Sequence, residues 1–193
     1  MTEIAERFRK RADAFEALIA GTAPERWASP SPCEGWLARD IVSHIVGFFG
    51  DVLHDKAGAA PPLPLSVADD PIAAFRGIRD AVQRVLDDPA TPADVAKYLD
   101  AALSFDVPQH WWDLAKATGQ DATMDPEEVE LLWTALSPMP PSWWKWQVDN
   151  GYYAPAIPVP EDAPLQDRVL GLIGRDPAWT PPSRDAHART EPG

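Results

Sequence analysis

A single cysteine, Cys33, among 193 residues leaves no second thiol in the chain to pair with. That excludes an internal disulfide and fits a reducing compartment. No apolar run approaches the ~18 residues of a membrane-spanning helix, and the N-terminus lacks the short apolar core of a secretory signal. The expectation is a cytoplasmic protein with no membrane partner. Positive charge is scarce: 17 Lys and Arg stand against 30 Asp and Glu, for a net charge of −13. This argues against binding along a nucleic-acid backbone, which needs clustered Lys and Arg, and against docking on anionic lipid. The one basic cluster, Arg7, Arg9, Lys10 and Arg11, lies among acidic neighbours and reads as a solvated helix face. A glycine-rich phosphate loop, an alternating β pattern and an internal repeat are all missing.

The chain does have proline and tryptophan, 22 and 9 residues respectively. Between the prolines the apolar residues recur at helical spacing. Ile4, Phe8, Ala12, Phe15, Leu18 and Ile19 predict a helix over 3–20. Leu37, Ile41, His44, Ile45, Phe48 and Val52 predict a second over 37–56. Ile72, Phe75, Ile78, Val82 and Val85 predict a third over 70–87, capped by Asp69 or Asp70. A fourth spans 94–118 and ends at Gly119. A short helix over 125–136 starts with Pro126 and two glutamates in its first turn, where negative charge complements the helix dipole. A last one covers 165–173, with Gly174 as its stop. The segments 58–65 and 137–164 are proline-rich, and both are expected to be irregular. The second carries Trp143, Trp144, Trp146, Tyr152 and Tyr153, too many aromatics for a disordered linker. The fold class expected is all-α: a four-helix bundle with a Pro/Trp-rich C-terminal extension and a short terminal helix. It forms one domain over 1–183, with a flexible tail over 184–193.

The chemistry gathers in 104–119, SFDVPQHWWDLAKATG. Asp106 and His110 are four residues apart, so on a helix they share a face. They continue the stripe Leu99, Leu103, Leu114, which should face the core. His44 falls on the inward stripe of the second helix. Two histidines and one carboxylate converging from two helices form a metal-ligand set with open positions for water or substrate. The other reading is a set of core polar groups that satisfy one another. Pro108 leaves a further alternative open. A proline removes a helix hydrogen bond and disfavours helical geometry just before it. Asp106 could then cap a new helix, with Gln109 as its capping-box partner. Asp113, three residues past His110, is either a partner for that imidazole or a surface or capping carboxylate. Cys33 precedes the second helix, where a thiol can be activated, but Glu34 works against that and no histidine is near in sequence. A packed structural thiol is the simpler reading. Trp111, beside His110, and Trp143, Trp144 and Trp146 are candidates to line a pocket for a flat apolar or aromatic ligand.

Four stretches carry a resemblance: PSPCEGW (30–36), RDIVSHIVG (39–47), HWWDLAKATG (110–119) and VPEDAPLQDRVLGLIGRDPAW (159–179). In this order they resemble the DinB-like family, and more closely its actinobacterial branch related to the mycothiol-dependent maleylpyruvate isomerase N-terminal domain. The resemblance implies an up-down-down-up four-helix bundle. It also implies a divalent metal, zinc or an ion of the nickel, iron or manganese type. Carried onto this sequence, its ligands are His44, Asp106 and His110, the residues that helical spacing also selects. The activity implied is that of a thiol-dependent transferase or isomerase acting on an electrophilic small molecule, with a low-molecular-weight thiol as a cofactor. Two other readings stand beside it. One is an isomerase or cyclase that uses Asp106 and His110 as an acid–base pair in a Trp-lined pocket without metal. The other is a non-catalytic small-molecule-binding protein. The state expected is a monomer or homodimer.

Overall fold

The computed structural model describes residues 2–58 and 66–182. Apart from Gly58, the loop expected at 58–65 lies outside them, as does the tail expected at 184–193. The described residues are helical, with no strand. The helices are α1 (Glu3–Ala20), α2 (Ala38–Val52), α3 (Pro71–Asp87), α4 (Ala93–Thr118), α5 (Pro126–Leu136), α6 (Pro141–Asp149) and α7 (Leu165–Leu172). None of them is long and apolar enough to cross a membrane. The chain divides into two compact units, Met1–Ala122 and Thr123–Gly193.

The first unit holds α1 to α4. Helices α1 and α2 each pack against both α3 and α4, so one apolar core runs between the four. Ala5, Phe15, Ile41, Ile45, Phe49, Phe75, Val82, Leu99 and Leu114 are all excluded from solvent within it. Phe15, Ile41, Ile45, Phe75, Val82, Leu99 and Leu114 lie on the stripes that the sequence pattern assigns to the core, whereas Ala5 and Phe49 lie one position past the expected Ile4 and Phe48, which are only partly buried. The caps follow the same logic. Thr2 Oγ1 accepts from Ala5 N at 3.2 Å, and Asp70 Oδ1 accepts from Ala73 N at 2.9 Å. Leu37 N donates to Asp40 Oδ2 at 2.8 Å. Each contact satisfies a backbone donor that the first turn of a helix leaves free. Past α2 the chain winds on as a wider π-turn, Leu53–Ala57, closed by left-handed Gly58. The second predicted helix therefore runs to its expected end in altered geometry.

Helix α4 is continuous over 26 residues with Pro108 inside it. The alternative in which Asp106 caps a new helix is therefore not what forms. The proline still lacks the N–H that would bond the carbonyl four residues back, a defect of about 3 kcal/mol in an isolated helix. Val107, Pro108, Gln109 and His110 are all buried, and burial offsets that local defect. An ion pair between Arg7 and Asp100, with contacts of 3.1 and 2.6 Å, ties α1 to α4. The hydrogen bond to Asp100 holds the Arg7 guanidinium above its ordinary value.

In the second unit α5 packs on α7. Asp125 caps α5 through Glu127 N at 2.9 Å. The segment 137–164 is not irregular throughout, because Pro141–Asp149 forms α6. The prolines explain this correction. Pro138, Pro140 and Pro141 precede or open the helix, where proline is tolerated, and the next proline is Pro155. The intervening stretch is free to be helical and gains a Lys145–Asp149 pair at 2.7 Å one turn apart.

The extended backbone after α6 lies against Gly171 of α7, and Ile157 N donates to Gly171 O at 2.8 Å. A Cβ at position 171 would stand 2.7 Å from Ile157 O and collide with the Val159 side chain. Gly171→Ala is therefore expected to destabilise the protein by about 1–3 kcal/mol, read as a lower melting temperature. Asp100→Asn should lower stability by no more than about 1 kcal/mol, because a partly exposed ion pair is screened by solvent. Chemical denaturation of the two variants side by side checks both magnitudes.

Candidate metal centre

Three segments of the first unit build the site: the loop before α2, α2 itself, and the middle of α4. The loop is closed by its own backbone. Ser31 N donates to Trp36 O at 2.9 Å, Trp36 N to Cys33 O at 3.0 Å, and Ala38 N to Ser29 O at 2.9 Å. Ser31 Oγ also accepts from Cys33 N at 3.2 Å. The turn Cys33–Trp36 places Gly35 third, at φ +78, a position that favours glycine because a Cβ clashes there with its own backbone. The fold of PSPCEGW thus presents Cys33 and Trp36 together.

His44, Asp106 and His110 meet as the helical spacing predicts. The Asp106 carboxylate serves both imidazoles: Oδ2 is 3.1 Å from His44 Nε2, and Oδ1 is 3.7 Å from His110 Nε2. One donor atom from each residue can be chosen so that all lie within 4.8 Å of one another. Metal–ligand bonds of ~2.0–2.2 Å place neighbouring ligand atoms roughly 3.0–3.5 Å apart. The two Asp106 contacts are close to that spacing, each made by a different carboxylate oxygen. Two imidazoles and one carboxylate suit zinc and the nickel, iron or manganese class alike. The site is graded in exposure: the side chains of His44 and Asp106 are 33% and 26% exposed, that of His110 10% and that of Asp113 0%. The His44–Asp106 side is therefore the solvent-facing side of the group.

The far side of His110 holds a second cluster. His110 Nδ1 lies 2.9 Å from Asp113 Oδ2, and Cys33 Sγ donates to the same oxygen at 3.1 Å. Cys33 Sγ is 4.0 Å from His110 Nδ1. Of the two sequence readings for Asp113, the surface carboxylate is ruled out, and the residue is a buried partner of His110. Cys33 does have a histidine beside it, but that histidine is 77 residues away in the chain, so sequence proximity could not reveal it. The aromatic walls were missed as well. The Trp36 ring lies over His110 at 5.8 Å and 16°, and tilted against His44 at 5.1 Å. Phe48 stacks on His44 at 5.9 Å and 3°. Two signals pointed to them: Trp36 closes the distinctive PSPCEGW stretch, and Phe48 follows His44 by one helical turn.

Of the candidate pocket residues, Trp111 is half-buried against the core of the first unit. The others belong to the second unit. Trp143 and Trp144 pack edge-to-face at 4.9 Å with Tyr153 beside both. Trp146 stacks on Tyr152 at 5.5 Å, and both are exposed. His54 lies exposed in the π-turn.

A sequence profile described as the mycothiol maleylpyruvate isomerase N-terminal domain matches residues 8–156. Two Mycobacterium tuberculosis proteins, from different strains and each described as uncharacterized, are 28% identical to this chain over 176 residues. The match covers 84% of this chain and 92% of theirs. No solved structure matches the chain significantly. The profile takes in the loop before α2, His44, and the whole of α4 with Asp106, His110 and Asp113. The chain is a member of the mycothiol maleylpyruvate isomerase N-terminal domain family.

Proposed function

We propose that the protein is a divalent-metal-dependent enzyme that delivers a low-molecular-weight thiol, of the mycothiol class, to an electrophilic small molecule. The observation that carries this reading is the convergence of His44, Asp106 and His110 on one partly open point. Membership of a mycothiol-associated family supports the choice of thiol. A divalent ion held by these residues would lower the pKa of a bound thiol or water, so that the nucleophile is present at neutral pH.

The chain's own residues supply the rest. His44 and His110 offer ring nitrogens from two helices, which fixes the ligand directions by the packing of α2 on α4. Asp106 offers two oxygens, one towards each imidazole. Trp36 and Phe48 give the site apolar flanks, which favour a substrate with a flat or unsaturated face. A second reading is favoured by the direct 3.1 Å contact between His44 and Asp106. The pair could work as an acid–base couple on a small molecule without metal.

Metal analysis of protein purified without a histidine tag separates the two. The metal reading expects close to one equivalent of a transition-type divalent ion. His44→Ala should lose it while keeping the far-ultraviolet signature of the bundle, since His44 is only half-buried. Full metal occupancy in His44→Ala would end the assignment. Turnover of an electrophilic test substrate should need added low-molecular-weight thiol and should fall by at least about 100-fold in Asp106→Asn. Undiminished turnover with no thiol present would rule out the thiol-transfer half of the proposal.

A further inference from the structure

We propose that Asp113, steadied by the Cys33 thiol, is a positioning residue. It fixes His110 as the Nδ1–H tautomer and so aims the Nε2 lone pair at the space between His44 and Asp106. The inference rests on the metal reading above and deepens it, by saying what holds the innermost ligand in place.

The His110 imidazole is held on three sides. Its Nδ1 edge meets Asp113 Oδ2 at 2.9 Å, its face lies under Trp36 at 16°, and its Nε2 edge looks towards Asp106 Oδ1 at 3.7 Å. An ionised carboxylate only accepts, so with Asp113 as the anion the 2.9 Å contact places the proton on Nδ1. A free neutral imidazole prefers the opposite tautomer, which would direct an N–H, and no lone pair, into the site. Asp113 reverses that preference from a position with 0% exposure, where water does not compete for the bond.

Cys33 adds a second donor to the same oxygen at 3.1 Å. The thiol therefore helps to set the rotation of the carboxylate that orients the ring. The arrangement has an economy of parts. The turn that bonds Trp36 N to Cys33 O carries both the ring over the imidazole face and the thiol behind its carboxylate. One closed loop before α2 thus positions His110 from two directions, although the only covalent link between loop and histidine runs through more than 70 residues of chain.

The test uses the full chain, ¹⁵N-labelled and stripped of metal with a chelator. Imidazole tautomers are read by long-range proton–nitrogen correlation at alkaline pH, with the His110 signals assigned by their absence from His110→Gln. The wild-type protein should show His110 as Nδ1–H. Any other state overturns the proposal, whether or not the protein takes up metal. Asp113→Asn should lose the tautomer preference and weaken cobalt(II) binding by ~10–100-fold, with a shifted visible spectrum. Cys33→Ser, which keeps a donor, should stay nearer to wild type than Cys33→Ala in both readouts. An unchanged tautomer with unchanged cobalt affinity in Asp113→Asn would overturn the positioning role while leaving the metal reading intact. Conversely, an Nδ1–H tautomer that depends on Asp113, in a protein that binds no cobalt, would sustain the positioning role and remove the metal reading.

Discussion

Everything at the site depends on α4 remaining one helix across Pro108. Asp106, His110 and Asp113 lie on that helix at offsets of four and three, so their relative directions are set by helical rise and turn alone. A break at 108 would separate the first carboxylate from the imidazole and the second carboxylate behind it. The helix survives because the residues around the proline are buried, and tertiary packing outweighs a local backbone defect. The same packing brings α2 alongside, and with it His44. The convergence of His44, Asp106 and His110 is thus a by-product of a well-made helix pair, and its geometry is only as good as that pair's register.

How much of this was legible in the sequence follows from the range of each interaction. The four bundle helices could be read from apolar spacing, because Phe8, Ile45, Phe75 and Leu99 repeat at a period that only a helix turns into a face. His44, Asp106 and His110 were legible for the same reason, as polar residues on apolar stripes. Asp113 was half legible: its spacing from His110 was visible, but its burial was not. Cys33, Trp36 and Phe48 were not read as site residues. Cys33 and Trp36 act from a loop, which has no period to read. Helix α6 is hidden by the overall proline content of 137–164, because the prolines bracket a stretch free of them.

The two clusters share one imidazole but differ in character. On the Nε2 side the groups are partly exposed to solvent. On the Nδ1 side a carboxylate with no exposure is packed with a thiol and a helix interior. An outer, exposed face and an inner, closed one would suit the proposed centre, which has to exchange small molecules while holding its geometry.

The site's contacts are also long in sequence. His44 reaches Asp106 across 62 residues, and Cys33 reaches His110 and Asp113 across 77 and 80. No helix forming by itself can assemble them. In a collapsed but loosely packed state, such as proteins adopt in acid, the helices persist while side-chain packing is lost, and here the donors would scatter without much change in helical content. An ion that binds only the native arrangement would therefore stabilise the tertiary fold specifically. The centre would act as a molecular lock on the docking of α2, α4 and the loop, separating a fully ordered bundle from one that is merely helical.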